Sequence, residues 1–179
     1  MLLQIGLFLL QTISHVFAAC FLFRFYAFLF RININSNGSN LGRFIFALTD
    51  WAVLPLRQLL PRIQRLDLPS LLPALAILFL LSLVKSLALT GGVDAGDVLS
   101  LFTIDTFSFI ISLLTALLIL QAVLSWIQPS SPVQYVLHQL TDPILKPIRR
   151  VMPLVGGIDL SPLAALLLLQ VLSMVIRGL

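Results

Sequence analysis

Glutamate is absent from these 179 residues, cysteine occurs once and histidine twice. A single Cys forms no internal disulfide and supplies no Cys-rich zinc or iron–sulfur site. With only His15 and His138 as imidazoles, no nucleophile, base and orienting group assemble, so no catalytic residue, cofactor or metal is expected. Gly-rich phosphate-binding loops are missing as well. Charge of either sign is scarce, at 10% of residues, where soluble domains carry about 25%. What fills the chain instead is apolar: 59% of residues are hydrophobic, and the mean hydropathy is +1.08. Those values exclude an ordinary soluble domain, a disordered tail and a nucleic-acid-binding module. An isoelectric point near 10.0 then reads as membrane topology and not as an affinity for nucleic acid.

A membrane-crossing helix needs about 20 mostly apolar residues. Spans are expected at about residues 3–30, 71–89, 107–127 and 162–176, the last being the shortest. These runs are continuous in Leu, Ile, Phe and Ala without strand-like alternation, so each reads as a helix. Phe17-Ala18-Ala19-Cys20 has the outline of a lipoprotein cleavage site, yet the apolar run continues through residue 30. The first stretch is therefore expected to stay as an uncleaved span. Arg and Lys concentrate in residues 31–70 and 128–161, while the intervening connection around residues 90–100 holds Asp94 and Asp97 and no basic residue. The basic connections are expected on the cytoplasmic side, with both termini outside.

The chain matches itself, without gaps, at an offset of 92 residues: 48–71 and 140–163 share nine identities in 24 positions. Leu48-Thr49-Asp50 falls on Leu140-Thr141-Asp142, and Pro55, Arg57 and Pro61 fall on Pro147, Arg149 and Pro153. Asp67-Leu68 and Leu71 fall on Asp159-Leu160 and Leu163. Apolar spans would agree at Leu by chance, whereas shared Pro, Arg and Asp in a connection mark an internal repeat. The expected architecture is thus an all-α membrane protein. Residues 1–90 and 91–179 form two parallel hairpins of two spans each, and each hairpin carries a short amphipathic helix in the interface.

In the second copy, Thr141-Asp142-Pro143 reads as a helix start, a capping acceptor followed by a proline whose missing N–H costs nothing there. Ile144, Leu145, Ile148, Val151 and Met152 then recur on one face, with Lys146, Arg149 and Arg150 opposite. Pro147 is expected to bend this helix and Pro153 to end it. Ser161 and Pro162 are expected to cap and open the last span, and Pro73 to kink the second. Two readings stand for Arg57, Arg149 and Arg150: they bind anionic lipid headgroups, or they pair with Asp50, Asp67, Asp142 and Asp159 to lock the connection. Inside the spans, His15 and Gln170 lie near mid-helix, and Lys85 and Asp105 fall close enough to the outer face to pair. Arg24 and Arg177, near span ends, are expected to snorkel.

The run Ser125-Trp126-Ile127, then 140–150, Pro153, and Gly157 through Pro162 resembles the signature of the YggT family of bacterial membrane proteins, related to YlmG-type proteins of other bacteria and plastids. The first copy departs from it at Trp51, where the family has Pro, and at Asp67-Leu68-Pro69-Ser70. The resemblance implies a multi-pass inner-membrane protein associated with osmotic-shock tolerance and cation homeostasis, acting as an oligomer in a transport-related role. The alternative it implies is a membrane organiser whose basic loops dock anionic lipids or a partner complex in division or cytochrome assembly. Expected partners are the bilayer, anionic headgroups, and further copies of the chain or a larger membrane complex.

Overall fold

The computed structural model describes residues 1–32, 41–60, 66–90, 92, 94–128, 130–152 and 159–178. Within them the chain is helical: α1 (Leu2–Leu29), α2 (Leu41–Leu59), α3 (Leu68–Thr90), α4 (Ala95–Ile127), α5 (Pro132–Val151) and α6 (Ser161–Arg177). Three helices are long and apolar enough to cross a membrane, Leu2–Leu29, Leu68–Ala88 and Ala95–Ile127, while the apolar stretch Ser161–Ile176 falls short of that length. The 92-residue offset read from the sequence governs the helix boundaries. Moving α2 by that offset gives 133–151, against the observed start at Pro132 and end at Val151. Moving the start of α3 gives 160, against Ser161.

α1 ends in a recognisable way. Arg31 takes a left-handed conformation, with φ 54°. Its N–H donates to the Phe28 carbonyl at 3.1 Å and that of Ile32 to the Ala27 carbonyl at 2.8 Å. These two bonds, with Ile32 packed near Ala27, make a Schellman stop that satisfies orphan carbonyls of the last turn.

Three expectations change at the helix starts. α5 does not begin at Thr141-Asp142-Pro143; it starts nine residues earlier, at Pro132. Ser131 accepts the Gln134 N–H at 3.1 Å and Pro132 occupies the first turn, so the capping chemistry is complete there. Burial of Val136, Leu137, Leu140 and Leu145 carries one apolar face through the expected boundary. Thr141 turns its hydroxyl back onto the Leu137 carbonyl at 3.0 Å instead of capping. α4 likewise starts at Ala95 and not near 107, since the Asp94 carboxylate accepts the N–H groups of Gly96 and Asp97. Asp97 then sits in the first turn, where the helix dipole favours a negative charge. In α6, Ser161 is the first helical residue and Leu160 the cap position, without a side-chain cap bond. Asp159 supplies the acceptor, taking the Ser161 N–H at 2.9 Å.

Pro73, Pro55, Pro143 and Pro147 all lie inside helices that continue through them. Pro55 and Pro147 are exposed, so the carbonyl each leaves without an intrahelical donor lies on the outward side of the bundle. Pro61, Pro153, the expected turn at Gly156-Gly157 and the side chain of Arg177 lie outside the described residues.

The two repeats share a similar interior. Val53 of α2 and its counterpart Leu145 of α5 are both fully buried, the first packed with Phe21, Leu22 and Ala74, the second with Leu118 and Ala165. The repeats meet along α3 and α4, where Phe79 sets its ring edge-on to Phe102 at 5.5 Å. A second contact crosses between them at the other end. Ala27 of α1 packs with Val136, Leu137 and Leu140 of α5, and the Tyr26 hydroxyl donates to the Leu140 carbonyl at 2.9 Å. The amphipathic helices α2 and α5 consequently gather at one end of the bundle.

A left-handed arginine gives a direct check on the stop of α1. Arg31→Gly removes the Cβ conflict of that conformation and is expected to stabilise the protein by about 0.5 kcal/mol, net of the extra chain entropy of glycine. Unfolding of wild type and variant in the same micelles measures it, and a loss of stability would contradict the assigned geometry.

Candidate functional site: two guanidinium–carboxylate clamps

At the end of the bundle where α2 and α5 lie, the repeated Asp and Arg residues come together. In the second repeat Arg149, two turns along α5 from Asp142, donates to it from Nη1 at 3.1 Å and to Asp159 from Nε at 2.8 Å. One guanidinium thus ties the amphipathic helix to the start of α6, using the fork geometry that lysine lacks. Lys146 Nζ lies 3.5 Å and His138 Nδ1 3.6 Å from the same Asp142 carboxylate, one turn to either side. Burial, the largest single influence, pushes the Asp159 carboxyl up. The hydroxyl and N–H of Ser161 and then the bond and charge of Arg149 outweigh it, holding the group below its ordinary range.

The first repeat keeps the residues but divides the work. Arg57 Nη2 donates to Asp67 at 3.2 Å. Asp67, itself buried, also receives the Ser70 hydroxyl at 2.6 Å. Asp50 is held by a different residue, Arg24 of α1. Its Nη1 donates to Asp50 Oδ1 at 2.6 Å and to the Thr49 hydroxyl at 2.8 Å, with the guanidinium carbon 4.7 Å from the centre of the Phe46 ring. Arg24 is only 6% exposed. It does not snorkel. An arginine this well enclosed is tolerable because carboxylate, hydroxyl and aromatic face replace the water it has lost.

Sequence reasoning passed over Arg24 because the end of an apolar run offers arginine an easy route to water. The signal lay in the repeat offset, which puts Ala116 opposite Arg24 and so marks this arginine as peculiar to the first copy.

At the far end of the bundle Lys85 of α3 and Asp105 of α4 make a 2.7 Å ion pair, joining the repeats where Phe79 meets Phe102. His15 does not hydrogen-bond to a neighbour among the described residues; it stacks on Phe109 of α4, ring centres 4.3 Å apart and planes 26° from parallel. Gln170 is exposed on α6, away from these groups. Arg150 is exposed on α5 and makes no ion pair among the described residues, so the clamp of the second repeat rests on Arg149 alone.

Long apolar helices, a duplicated helix–amphipathic helix–helix plan and an Asp–Arg clamp in each copy define an all-helical membrane protein built from a tandem repeat. Residues 3–88 and 100–179 each match the CCB3/YggT family. The chain is 38% identical over 141 residues to "Uncharacterized protein YggT" of Escherichia coli strain K12, covering 74% of this chain and 70% of that protein. It is 30% identical over 176 residues to an uncharacterized protein of Pseudomonas aeruginosa, covering 96% and 87%. An uncharacterized protein of Haemophilus influenzae matches at 30% over 131 residues, covering 73% and 70%. No solved structure matches. The chain belongs to the CCB3/YggT family.

The unequal exposure of the partners in the first clamp sets the order of two substitutions. Asp50→Ala leaves the enclosed Arg24 charge without a counterion and is expected to cost about 3 kcal/mol or more. Arg24→Met leaves Asp50, which is 40% exposed and can be hydrated, and is expected to cost under about 1 kcal/mol. Unfolding in micelles compares them, and the reverse order would show that the pair is not what keeps Arg24 enclosed.

Proposed function

We propose that this chain is a non-enzymatic organiser of a membrane surface. In this reading four helices cross the bacterial inner membrane as two parallel hairpins, α1 with α3 and α4 with α6. Residues 31–70 and 128–161 face the cytoplasm, and both termini lie outside. α2 and α5 rest in the headgroup layer and present a platform to anionic lipids or to a partner complex. The observation that carries the reading is the clamp itself. An amphipathic helix that only led the chain back into the bilayer would not require an arginine bridge to the next span in both copies. The clamps hold each helix at a set angle while Lys146 and Arg150 stay exposed, and Trp51 and Trp126, 68% and 88% exposed, are residues suited to anchoring at the interface. In this arrangement α6, about 25 Å long for its 17 residues, is shorter than a hydrocarbon core of about 30 Å. The bilayer thins locally around it or α6 leans on its neighbours.

A basic residue near an anionic surface is worth about 1 kcal/mol. Lys146→Ala with Arg150→Ala leaves the Arg149 bridge in place and is expected to weaken binding to anionic vesicles by roughly 10- to 30-fold at low salt, with a smaller difference at high salt. Crosslinked partners should fall in parallel. Unchanged lipid binding and an unchanged partner set would sink the platform reading.

A second reading, transport in support of osmotic tolerance and cation homeostasis by an oligomer, draws on one observation. Lys85 and Asp105 form a charged pair within the helices of the membrane region, where ionisable groups are costly and so tend to be functional. Reconstituted protein is then expected to pass potassium or sodium under a gradient, and Asp105→Asn to reduce the flux. Liposomes that hold the gradient with wild-type protein would remove this reading and leave the first intact.

A further inference from the structure

The two clamps are made from the same residues, yet only one of them closes. Arg149 spans both carboxylates of its repeat. Among the described residues Arg57, its counterpart, donates one bond, from Nη2 to Asp67, and Asp50 receives only from Arg24, on Oδ1. Asp50 and Arg57 lie seven residues apart on one face of α2, about 10 Å along its axis. Where the second repeat brings its equivalent pair to 3.1 Å, the first has a cleft of about 370 Å³ lined by both residues, a size in the range of small-ligand sites, ~300–1,000 Å³. The side chains that complete Asp142's surroundings are replaced as well. Phe46 and Leu54 stand at the positions equivalent to His138 and Lys146.

The cleft therefore holds three kinds of binding group. Asp50, 40% exposed, has a second carboxylate oxygen, and Arg57, 43% exposed, has N–H donors at Nε and Nη1, that no described residue takes up. Ala27, Phe28, Ile32 and Leu54 supply apolar wall. Among the described lining residues Arg24 and Arg57 are balanced by Asp50 and Asp67, so a ligand of net charge would bring an uncompensated charge among them in a partly enclosed site. A dipolar ligand would not. An ammonium with N–H donors satisfies Asp50, a phosphodiester satisfies the guanidinium of Arg57, and an acyl chain continues along Phe28 and Leu54. We infer that the cleft between α1 and α2 is a binding site for a zwitterionic phospholipid with a primary ammonium headgroup, of the phosphatidylethanolamine class, and that the closed second clamp is not. The inference rests on the interfacial placement of α2 proposed above. It goes beyond that proposal in naming a neutral headgroup where the exposed basic face of α5 takes anionic ones.

The test uses the full chain purified in detergent and exchanged into nanodiscs made with equal parts of ethanolamine, choline and glycerol phospholipids. Lipid retained on the protein is then counted by native mass spectrometry. In a Lys146→Ala, Arg150→Ala background, which removes the anionic-lipid site proposed on α5, the expected result is enrichment of the ethanolamine lipid by about tenfold over the choline lipid, which has no N–H donor for Asp50, and over the anionic glycerol lipid. Arg57→Gln brings the enrichment back to the bulk ratio, and Gln170→Ala, on the exposed face of α6, leaves it unchanged. Leu54→Trp, which fills the cleft and leaves every charge in place, has the same effect as Arg57→Gln and keeps the conclusion independent of any misfolding of the charge variant. Water-soluble glycerophosphoethanolamine does not compete, because the apolar wall recognises the chain. Equal retention of all three lipids, preference for the glycerol lipid, or loss of enrichment in Gln170→Ala would each overturn the inference. Competition by the soluble headgroup would overturn its assignment to a lipid. Quenching of Trp51 fluorescence by brominated lipid, read in a Trp126→Phe background, separates the two levels. Quenching without enrichment removes the lipid site alone, and no quenching removes the interfacial placement with it.

Discussion

The structure turns on how a helix lying along the bundle end becomes the start of the next long helix. At that junction the first backbone N–H groups of α3 and α6 have no intrahelical acceptor, and the aspartate placed just before each helix is only partly hydrated. Asp159 resolves both problems with its carboxylate, whereas Asp67 pairs its carboxylate and takes the Ser70 and Leu71 N–H groups on its own main-chain carbonyl. Each accepts from a serine at the beginning of the following helix, Ser70 through its hydroxyl and Ser161 through its N–H, and each accepts from an arginine of the preceding amphipathic helix. The carboxylate is paired, the helix start is satisfied and two elements are held together by the same aspartate. Leu or Ala at these positions would leave the angle between the helices to apolar packing alone, which is weakly directional.

The repeats show how one such device can diverge. A single arginine serves both carboxylates in the second copy, whereas the first copy divides them between Arg57 and Arg24. Bringing Arg24 in from α1 links three elements of the first repeat, α1 directly through Asp50 and α3 through Asp67. It also spares Arg57 and opens the cleft beside it. In the second copy Ala116 offers no such group, and Lys146 and His138 gather at Asp142 instead. Duplication followed by unequal loss of constraint accounts for two similar frames with different surfaces. One clamp is closed, the other open.

Much of the frame was legible in the chain's own pattern. Runs of apolar residues located α1 and α3 to within a few positions, and the 92-residue offset anticipated where α2 and α5 align. The pairing of Arg57 and Arg149 with aspartates was one of two open readings, and the geometry has them paired. Where the pattern misled, a local rule met a better local competitor. Thr141-Asp142-Pro143 has the composition of a helix start, but Ser131-Pro132 has it too and lies upstream of an unbroken apolar face. The third span is expected from residue 107, yet α4 begins at Ala95, because Asp94 caps it and Asp97 suits its N-terminus, while Asp105 pairs with Lys85 as expected.

By itself the sequence determined those features that depend on composition and period. Scarce charge and long apolar runs require helices that satisfy their own backbone in lipid, and a repeated Pro–Arg–Asp pattern requires two copies of one unit. Only the tertiary structure decided which charges meet. Arg24 and Asp50 are 26 positions apart, and no periodicity within either segment says that the partners face one another, whereas Lys85 and Asp105 are matched by depth alone. An ion pair depends on the last few ångströms of approach. The packing of α1 against α2 and of α3 against α4 sets that approach, and with it the difference between the closed clamp at Arg149 and the open cleft at Arg57.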